Sequence, residues 1–265
     1  MCGRYAASAN PDDLVEELEI ESDETGGAVQ PDYNVAPTHQ VPVVLERAPR
    51  ADREAAPVRQ LRMLTWGLVP SWAKDPKVGS RMINARVESL FDKPGFKRAA
   101  AARRCLVPAD GWYEWQVSPT AHDAKGKPRK QPFFTHLADG GRLAFGGLYE
   151  FWRDPAKPDD ADDAWLTTFT IITGPAEPGL DRLHDRMPFV VPRERWGAWL
   201  DPALTDPDEV RGLLEPLPPG RFVAYPVSRR VGDVRNEGPT LLEPARAEEL
   251  VGVVDPMTGE ILGGS

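Results

Sequence analysis

Val58-Arg59-Gln60-Leu61-Arg62-Met63-Leu64-Thr65-Trp66-Gly67-Leu68-Val69 sets Leu61, Met63 and Thr65 in alternation with Leu64, Trp66 and Leu68. Successive side chains of an extended chain point to opposite faces, so this stretch reads as a β-strand. Working outward, Val41–Glu46, Cys105–Val107, Gly111–Val117, Phe133–Leu137, Leu143–Trp152, Trp165–Thr173, Phe189–Val191 and Phe222–Val227 carry the same signature. Helical signals are fewer. Asn10 is placed to cap a helix that Pro11 opens and that runs to about Glu19, with Leu14, Val15 and Leu18 on one face. The segment before it is expected to be a short arm leading out to Cys2. Further helices are expected over Arg86–Phe91, Arg193–Leu200 and Pro207–Leu214. Many strands, few helices and 28 prolines give a β-rich α+β fold, a strongly curved sheet closing toward an open β-barrel with short peripheral helices.

Arg47–Pro57, Pro119–Arg129 and Arg153–Asp163 are charged and turn-rich, which makes them surface insertions between strands. The 265 residues read as one domain over 1–244, followed by a C-terminal tail over 245–265 with few periodic apolar positions. No secretory or membrane-length apolar segment is read, so the expectation is a cytoplasmic protein without a membrane partner. The two cysteines and four scattered histidines lack metal-ligand spacing, and no metal or cofactor is expected. A formal net charge of −9 argues against nucleic-acid binding by the molecule as a whole. Its distribution argues otherwise: Ser71–Arg104 holds nine Lys and Arg against three acids, an excess of six positive charges.

The chain opens Met1-Cys2-Gly3-Arg4. Removal of Met1 would leave an N-terminal cysteine, a 1,2-aminothiol that condenses with an aldehyde through an imine to a thiazolidine ring. An α-amine, with a pKa of ~7.7–8.0, is in useful part unprotonated at neutral pH, whereas a lysine at ~10.4 is not. Three other clusters carry chemistry. Asn84 and Arg86, two apart in the basic segment, share a face of an extended chain; the bland alternative is a turn residue and a solvated cation. Glu114, within Asp110-Gly111-Trp112-Tyr113-Glu114-Trp115, would project beside Trp112, where loss of solvent raises its pKa and suits it to shuttle protons, although a lone strand glutamate is commonly a surface residue. His184, in His184-Asp185-Arg186-Met187-Pro188, is a proton donor and acceptor at neutral pH or else a solvated loop residue.

Together with Tyr33-Asn34-Val35-Ala36-Pro37, Trp66-Gly67-Leu68-Val69-Pro70-Ser71-Trp72, Pro226-Val227-Ser228 and Val234-Arg235-Asn236, these motifs, in this order, resemble the SRAP (SOS response-associated peptidase) family of abasic-site processing proteins. The resemblance implies a thiazolidine crosslink between Cys2 and the ring-opened abasic deoxyribose of single-stranded DNA; the protein is expected to be a monomer. Removal of Met1 is expected because a small residue follows it, whether by self-cleavage or by an aminopeptidase. By motif, Cys2 is the nucleophile, Asn84 positions the N-terminus or the sugar, Glu114 handles the amine proton, and His184 assists ring opening and reversal. Gly3, Arg4, Asn34, Pro37, Arg81 and Arg86 are implied DNA contacts, and Trp72 a wedge against the bases. Ala73 stands where some relatives carry a second bulky aromatic. Two rival readings are a thiol peptidase with Cys2 attacking a carbonyl and His184 as base, and a DNA-binding module that uses the basic segment without covalent chemistry.

Overall fold

A strand that is apolar on both sides has to be covered on both sides, and the stretch that begins at Val58 obtains this from a closed barrel. The computed structural model describes residues 2–49, 52, 54–122, 124–158 and 161–263. In chain order its strands and helices are β1 (Tyr5–Ala7), α1 (Pro11–Glu17), β2 (Ser22–Asp23), β3 (Asp32–Val35), β4 (Gln40–Arg47), β5 (Val58–Trp66), β6 (Asn84–Arg86), α2 (Pro94–Ala102), β7 (Arg104–Ala109), β8 (Gly111–His122), β9 (Pro128–Leu137), β10 (Leu143–Arg153), β11 (Trp165–Pro175), β12 (Arg186–Pro188), α3 (Trp196–Leu200), α4 (Pro207–Gly212) and β13 (Phe222–Pro226). Strands β11, β10, β7, β4 and β5 are neighbours in that order, and β5 then pairs in parallel with β11 through Thr65↔Thr168 and Trp66↔Phe169. The expected curved sheet therefore closes completely, leaving these five strands without a free edge along the seam.

Inside the barrel, Val43, Leu45, Leu64, Trp66, Cys105, Val107, Phe145 and Phe169 form one buried cluster. The alternate residues Val44, Leu61, Leu106 and Leu148 face outward and are covered by Leu14 of α1, Phe96 and Ala99 of α2 and Trp199 of α3. At roughly 1.5–3 kcal/mol for each large apolar side chain, double-sided burial makes these strands the most stabilising part of the chain. A second sheet, in the order β13-β9-β8-β1-β3, lays Tyr5, Trp112, Phe133 and Phe222 into the barrel cluster.

Several local expectations are corrected. The arm before α1 is a strand: β1 lies between β3 and β8, with Tyr5 opposite Val35 and Trp112, and Tyr5 and Ala6 fully buried. Three residues are too few to show a period of two. The helix expected over Arg86–Phe91 is the end of β6 followed by a 3₁₀ turn, Val87–Ser89. Pairing expected at Phe189–Val191 falls instead to β12, leaving a single bridge from Val190 to Phe145. Helix α2 was not anticipated, although Pro94 at its start and the alanines behind it are favourable local signals. Strands β8 and β9 run well into the expected insertion Pro119–Arg129. Met1, Arg50, Ala51, Arg53, Asp123, Asp159, Asp160, Gly264 and Ser265 lie outside the described residues, so parts of the three expected insertions, of the tail and of the chain start are not covered. After Pro244 the chain returns over β8: the Gln116 amide donates to the Val254 carbonyl at 2.7 Å and accepts from its N–H at 2.8 Å, and Val253 is fully buried.

Candidate active site at the start of the chain

Strand β1 is fixed on both sides, so the residues just before it have little freedom. Tyr5 packs edge-on against Trp66 at 5.2 Å and Phe145 at 5.9 Å, and the Tyr113 N–H donates to the Arg4 carbonyl at 2.9 Å. Cys2 is thereby drawn into the barrel cluster and fully buried. Burial pushes its thiol pKa up, the charge of Glu114 adds to this, and the backbone at Arg4 and the amino-terminal charge pull the other way.

Asn84 reaches Cys2 from the opposite wall. Strand β6 pairs in parallel with β11, Asn84 against Ile171, and the Ile83 carbonyl accepts from the Trp66 indole at 2.9 Å. The Asn84 amide then donates to the Cys2 carbonyl at 2.7 Å. Its own Oδ1 is buried and has no hydrogen-bond partner among the described residues. Leaving such an acceptor unmatched costs about 1–3 kcal/mol, which favours any bound group with a donor to offer.

Glu114 sits on β8 opposite Phe133, buried on the same side as Trp112, as the alternation anticipated. Its pKa rises to about 7: burial is the main cause, the amino-terminal charge and a hydrogen bond to it oppose the rise, and Asp185 adds to it. The Glu114 charge acts on Cys2 and the Asp185 charge acts on Glu114, which brings the loop bearing His184 to the same region.

His184 lies in the loop between a 3₁₀ turn, Leu180–Arg182, and β12. Its Nδ1 accepts the Arg186 N–H at 3.0 Å and lies 2.8 Å from an Asp185 carboxylate oxygen. These two partners want opposite protonation states of one nitrogen. Burial, then the amino terminus and Arg186, lower the His184 pKa against the pull of Asp185. The neutral ring is favoured, with Nδ1 as acceptor and the proton on Nε2. Arg186 anchors the loop through two bonds to Glu88, at 2.5 and 3.0 Å, and one to the Thr173 carbonyl at 2.5 Å. Sequence reading missed this clamp; the signal available was an arginine two residues after the histidine and a glutamate two after Arg86.

The remaining candidates divide. Arg81 ends the 3₁₀ turn Pro76–Arg81 and Arg86 ends β6, and both are exposed. Trp72, 62% exposed, stands on the loop between β5 and that turn, beside Ala73, whose carbonyl accepts from the Trp152 indole at 2.7 Å. That loop is drawn tight where Gly67, at φ 124°, crosses Gly79: a Cβ on Gly67 would lie 2.7 Å from the Gly79 oxygen. Gly3 and Pro37 are half-buried. Asn34 is 0% exposed and its amide is spent on protein, donating to the Asp233 and Asn236 carbonyls at 3.0 and 2.9 Å and accepting from Arg4. Arg4 also donates to the Val231 carbonyl at 2.8 Å and lies over the Trp115 ring. Within the basic segment, Arg103 pairs with Glu150 at 2.7 Å. Arg104 is buried, and its five N–H groups meet the carbonyls of Ala100, Ala101, Trp199, Asp201 and Leu204, so neither charge faces a ligand.

Among the described residues no group of His, Cys, Asp and Glu could hold a metal, and no helix is long and apolar enough to cross a membrane. The family model for SOS response associated peptidase (SRAP) matches residues 1–234. Abasic site processing protein YoqW of Bacillus subtilis is 36% identical over 244 residues, covering 92% of this chain and 99% of the relative. Abasic site processing protein YedK of Escherichia coli is 31% identical over 249 residues, covering 92% and 100%. A crystal structure of a Bacteroides thetaiotaomicron protein matches the fold with a TM-score of 0.74 at 22% identity, covering 92% of this chain and 100% of that one. A phage-related protein of Bordetella bronchiseptica matches with a TM-score of 0.61 at 33% identity, over 86% and 95%.

Proposed function

Because this chain belongs to the SOS response-associated peptidase (SRAP) family, we propose that it captures abasic sites in single-stranded DNA as a covalent thiazolidine on Cys2, once Met1 is removed. The observation that carries this reading is the meeting of Asn84 and Glu114 at Cys2, with a 2.7 Å bond from the Asn84 amide to its carbonyl and the Glu114 charge acting on its thiol. Ring opening comes first: the protonated fraction of His184 gives its Nε2 proton to the sugar ring oxygen and the neutral ring so formed takes the proton of the anomeric hydroxyl, exposing the aldehyde and restoring the imidazolium. The neutral Cys2 amine adds to the aldehyde carbon. Glu114 in its acid form protonates the hydroxyl so formed, water leaves, and an iminium remains. Glu114, now a carboxylate, takes the thiol proton as sulfur bonds to the same carbon. The balance is aldehyde plus aminothiol giving thiazolidine plus water. The unmatched Asn84 Oδ1 is placed to accept from the amine or a sugar hydroxyl. Arg81 and Arg86 hold phosphates, Gly3 and Pro37 line the strand's path, Trp72 meets a base, and Asn34 acts through Arg4.

A pKa near 7 lets one carboxyl serve as acid and then as base at neutral pH, which is what the two halves of this sequence require. The burial that pushes the Cys2 pKa up weighs against the thiol-peptidase reading, because acyl transfer needs a ready thiolate. The test mixes protein, verified by intact mass to begin at Cys2, with an oligonucleotide carrying one abasic site, and resolves the products on a denaturing gel. A heat-stable shifted band is expected. An N-terminal extension should abolish it, since an amide nitrogen forms no imine, while a C-terminal extension should not. Equal crosslinking by an uncleaved N-terminal fusion would sink the mechanism.

A further inference from the structure

The family match ends at residue 234, yet the residues beyond it return to the site. The last described stretch folds back on itself as a hairpin. The Leu262 N–H donates to the Val253 carbonyl at 2.8 Å, Val254 bridges to Ile261, and the Asp255 N–H donates to the Glu260 carbonyl at 2.8 Å. Its tip is a tight turn organised by Asp255, whose carboxylate accepts from the Met257 and Thr258 N–H groups at 2.7 and 3.3 Å. The Gly259 N–H closes the turn on the Asp255 carbonyl at 2.8 Å.

This hairpin is fastened to two separate walls. One is β8: Gln116, two residues from Glu114 and on the same face of the strand, makes both of its amide hydrogen bonds to Val254, and the Ser118 hydroxyl donates to the Gly252 carbonyl at 2.7 Å. The other is the 3₁₀ turn Leu180–Arg182, which leads into His184. There the Arg182 guanidinium donates to the Pro256 carbonyl at 2.7 Å, and Gly179 passes so near Met257 that a Cβ would lie 2.9 Å from its sulfur. The turn passes its position on to the histidine, because the Leu183 and His184 N–H groups donate to the Leu180 carbonyl at 2.9 and 3.2 Å. Beneath the hairpin, Val253, Leu180 and Leu183 belong to one buried cluster.

Glu114 and His184 stand on different sheets. Strand β8 belongs to the five-stranded sheet and β12, which follows the histidine, to the eight-stranded one, so no ladder fixes one group relative to the other. We propose that the hairpin Val253–Leu262 is a strut that sets His184 relative to Glu114, with Arg182 as the positioning residue through which it acts. Arg182 holds the backbone of the turn and takes no part in proton transfer. A strut of this kind matters because misplacing a reacting group by ~1 Å costs about 10²-fold in rate. The inference rests on reading Glu114 and His184 as the acid–base groups of capture.

The test compares wild type with Arg182→Ala, Asp255→Ala, the double variant and Arg182→Lys, each beginning at Cys2, at saturating abasic DNA. Arg182 is exposed and Asp255 half-buried, so neither change empties the core. Each alanine variant should capture the natural lesion on the order of tenfold more slowly, and up to about 10²-fold. The double variant should be no slower than the slower single one, because both changes cut one connection. Arg182→Lys, which keeps a donor for the Pro256 carbonyl, should recover most of the rate. On a lesion locked as the open aldehyde every protein should react alike, since ring opening is bypassed. Hydrogen exchange reads the strut without the chemistry: the Leu183 and His184 amides should exchange faster in both alanine variants than in wild type. Unchanged exchange, or unchanged capture of the natural lesion where His184→Ala is slow, would overturn the proposal. So would a loss confined to Arg182→Ala with weaker binding to a lesion-free strand, which would assign that cation to phosphate. Crosslinking absent from every protein, with faster exchange in the variants, would overturn the covalent reading while supporting the strut.

Discussion

A carboxyl group buried among aromatic side chains stays protonated unless a cation is brought beside it. Glu114 is in that position, with its pKa near 7 under the opposed action of burial and the amino-terminal charge. The folded protein binds this proton more tightly than the unfolded chain does. The stabilising contribution is therefore full below about pH 4.5 and is lost as pH rises through about 7. Glu114→Gln cannot ionise, so its stability relative to wild type should be nearly constant below pH 4.5 and improve by up to about 3 kcal/mol above pH 7. Urea unfolding at a series of pH values measures this, and a difference independent of pH would contradict the assignment. The same variant should capture abasic DNA about 10²–10⁴-fold more slowly where proton transfer limits the rate. His184→Ala should slow both capture and reversal. On a lesion locked as the open aldehyde it should match wild type, and a loss there would mean that His184 acts after ring opening.

At the scale of elements, the chemistry depends on short connections held by backbone contacts. The turn bearing Arg81 is seated where Gly67 crosses Gly79, and the loop bearing His184 is tied by Arg186 to Glu88. Arg104 does similar work for the helices, joining the ends of α2 and α3 through five carbonyls. Arg104→Leu would strand those carbonyls and should cost at least about 3 kcal/mol, since each buried unmatched group costs about 1–3 kcal/mol. The dependence of DNA affinity on salt, measured below the melting temperature, should nevertheless be unchanged. A reduced salt slope in this variant would show that Arg104 reaches phosphate.

For the whole molecule, a net charge of −9 means that binding to DNA has to come from local placement of cations. Noncovalent affinity for a single strand should fall with salt, and Arg81→Gln and Arg86→Gln should each lower the slope by about 0.7, one phosphate apiece. Arg103→Gln should leave it alone, because that cation is held by Glu150. Anisotropy titrations across a salt series check all three, and salt-independent binding by the wild type would place the basic segment away from DNA.

The alternation in Val58–Trp66 and in β10 and β11 made the β-rich fold legible in the sequence, because a two-residue period is a local property of an extended chain. Cys2, Asn84, Glu114 and His184 were legible as groups with the right chemistry and as motifs in family order. Their convergence was not, since residues 2 and 84 meet only when β6 pairs with β11 and β1 is trapped between β3 and β8. Charge was the least legible: Arg81, Arg86, Arg103 and Arg104 are equivalent cations in the sequence. In the fold the first two are exposed, the third is paired and the fourth is buried. Which partner a guanidinium meets is settled by strands and helices distant in sequence, and only tertiary packing brings those together.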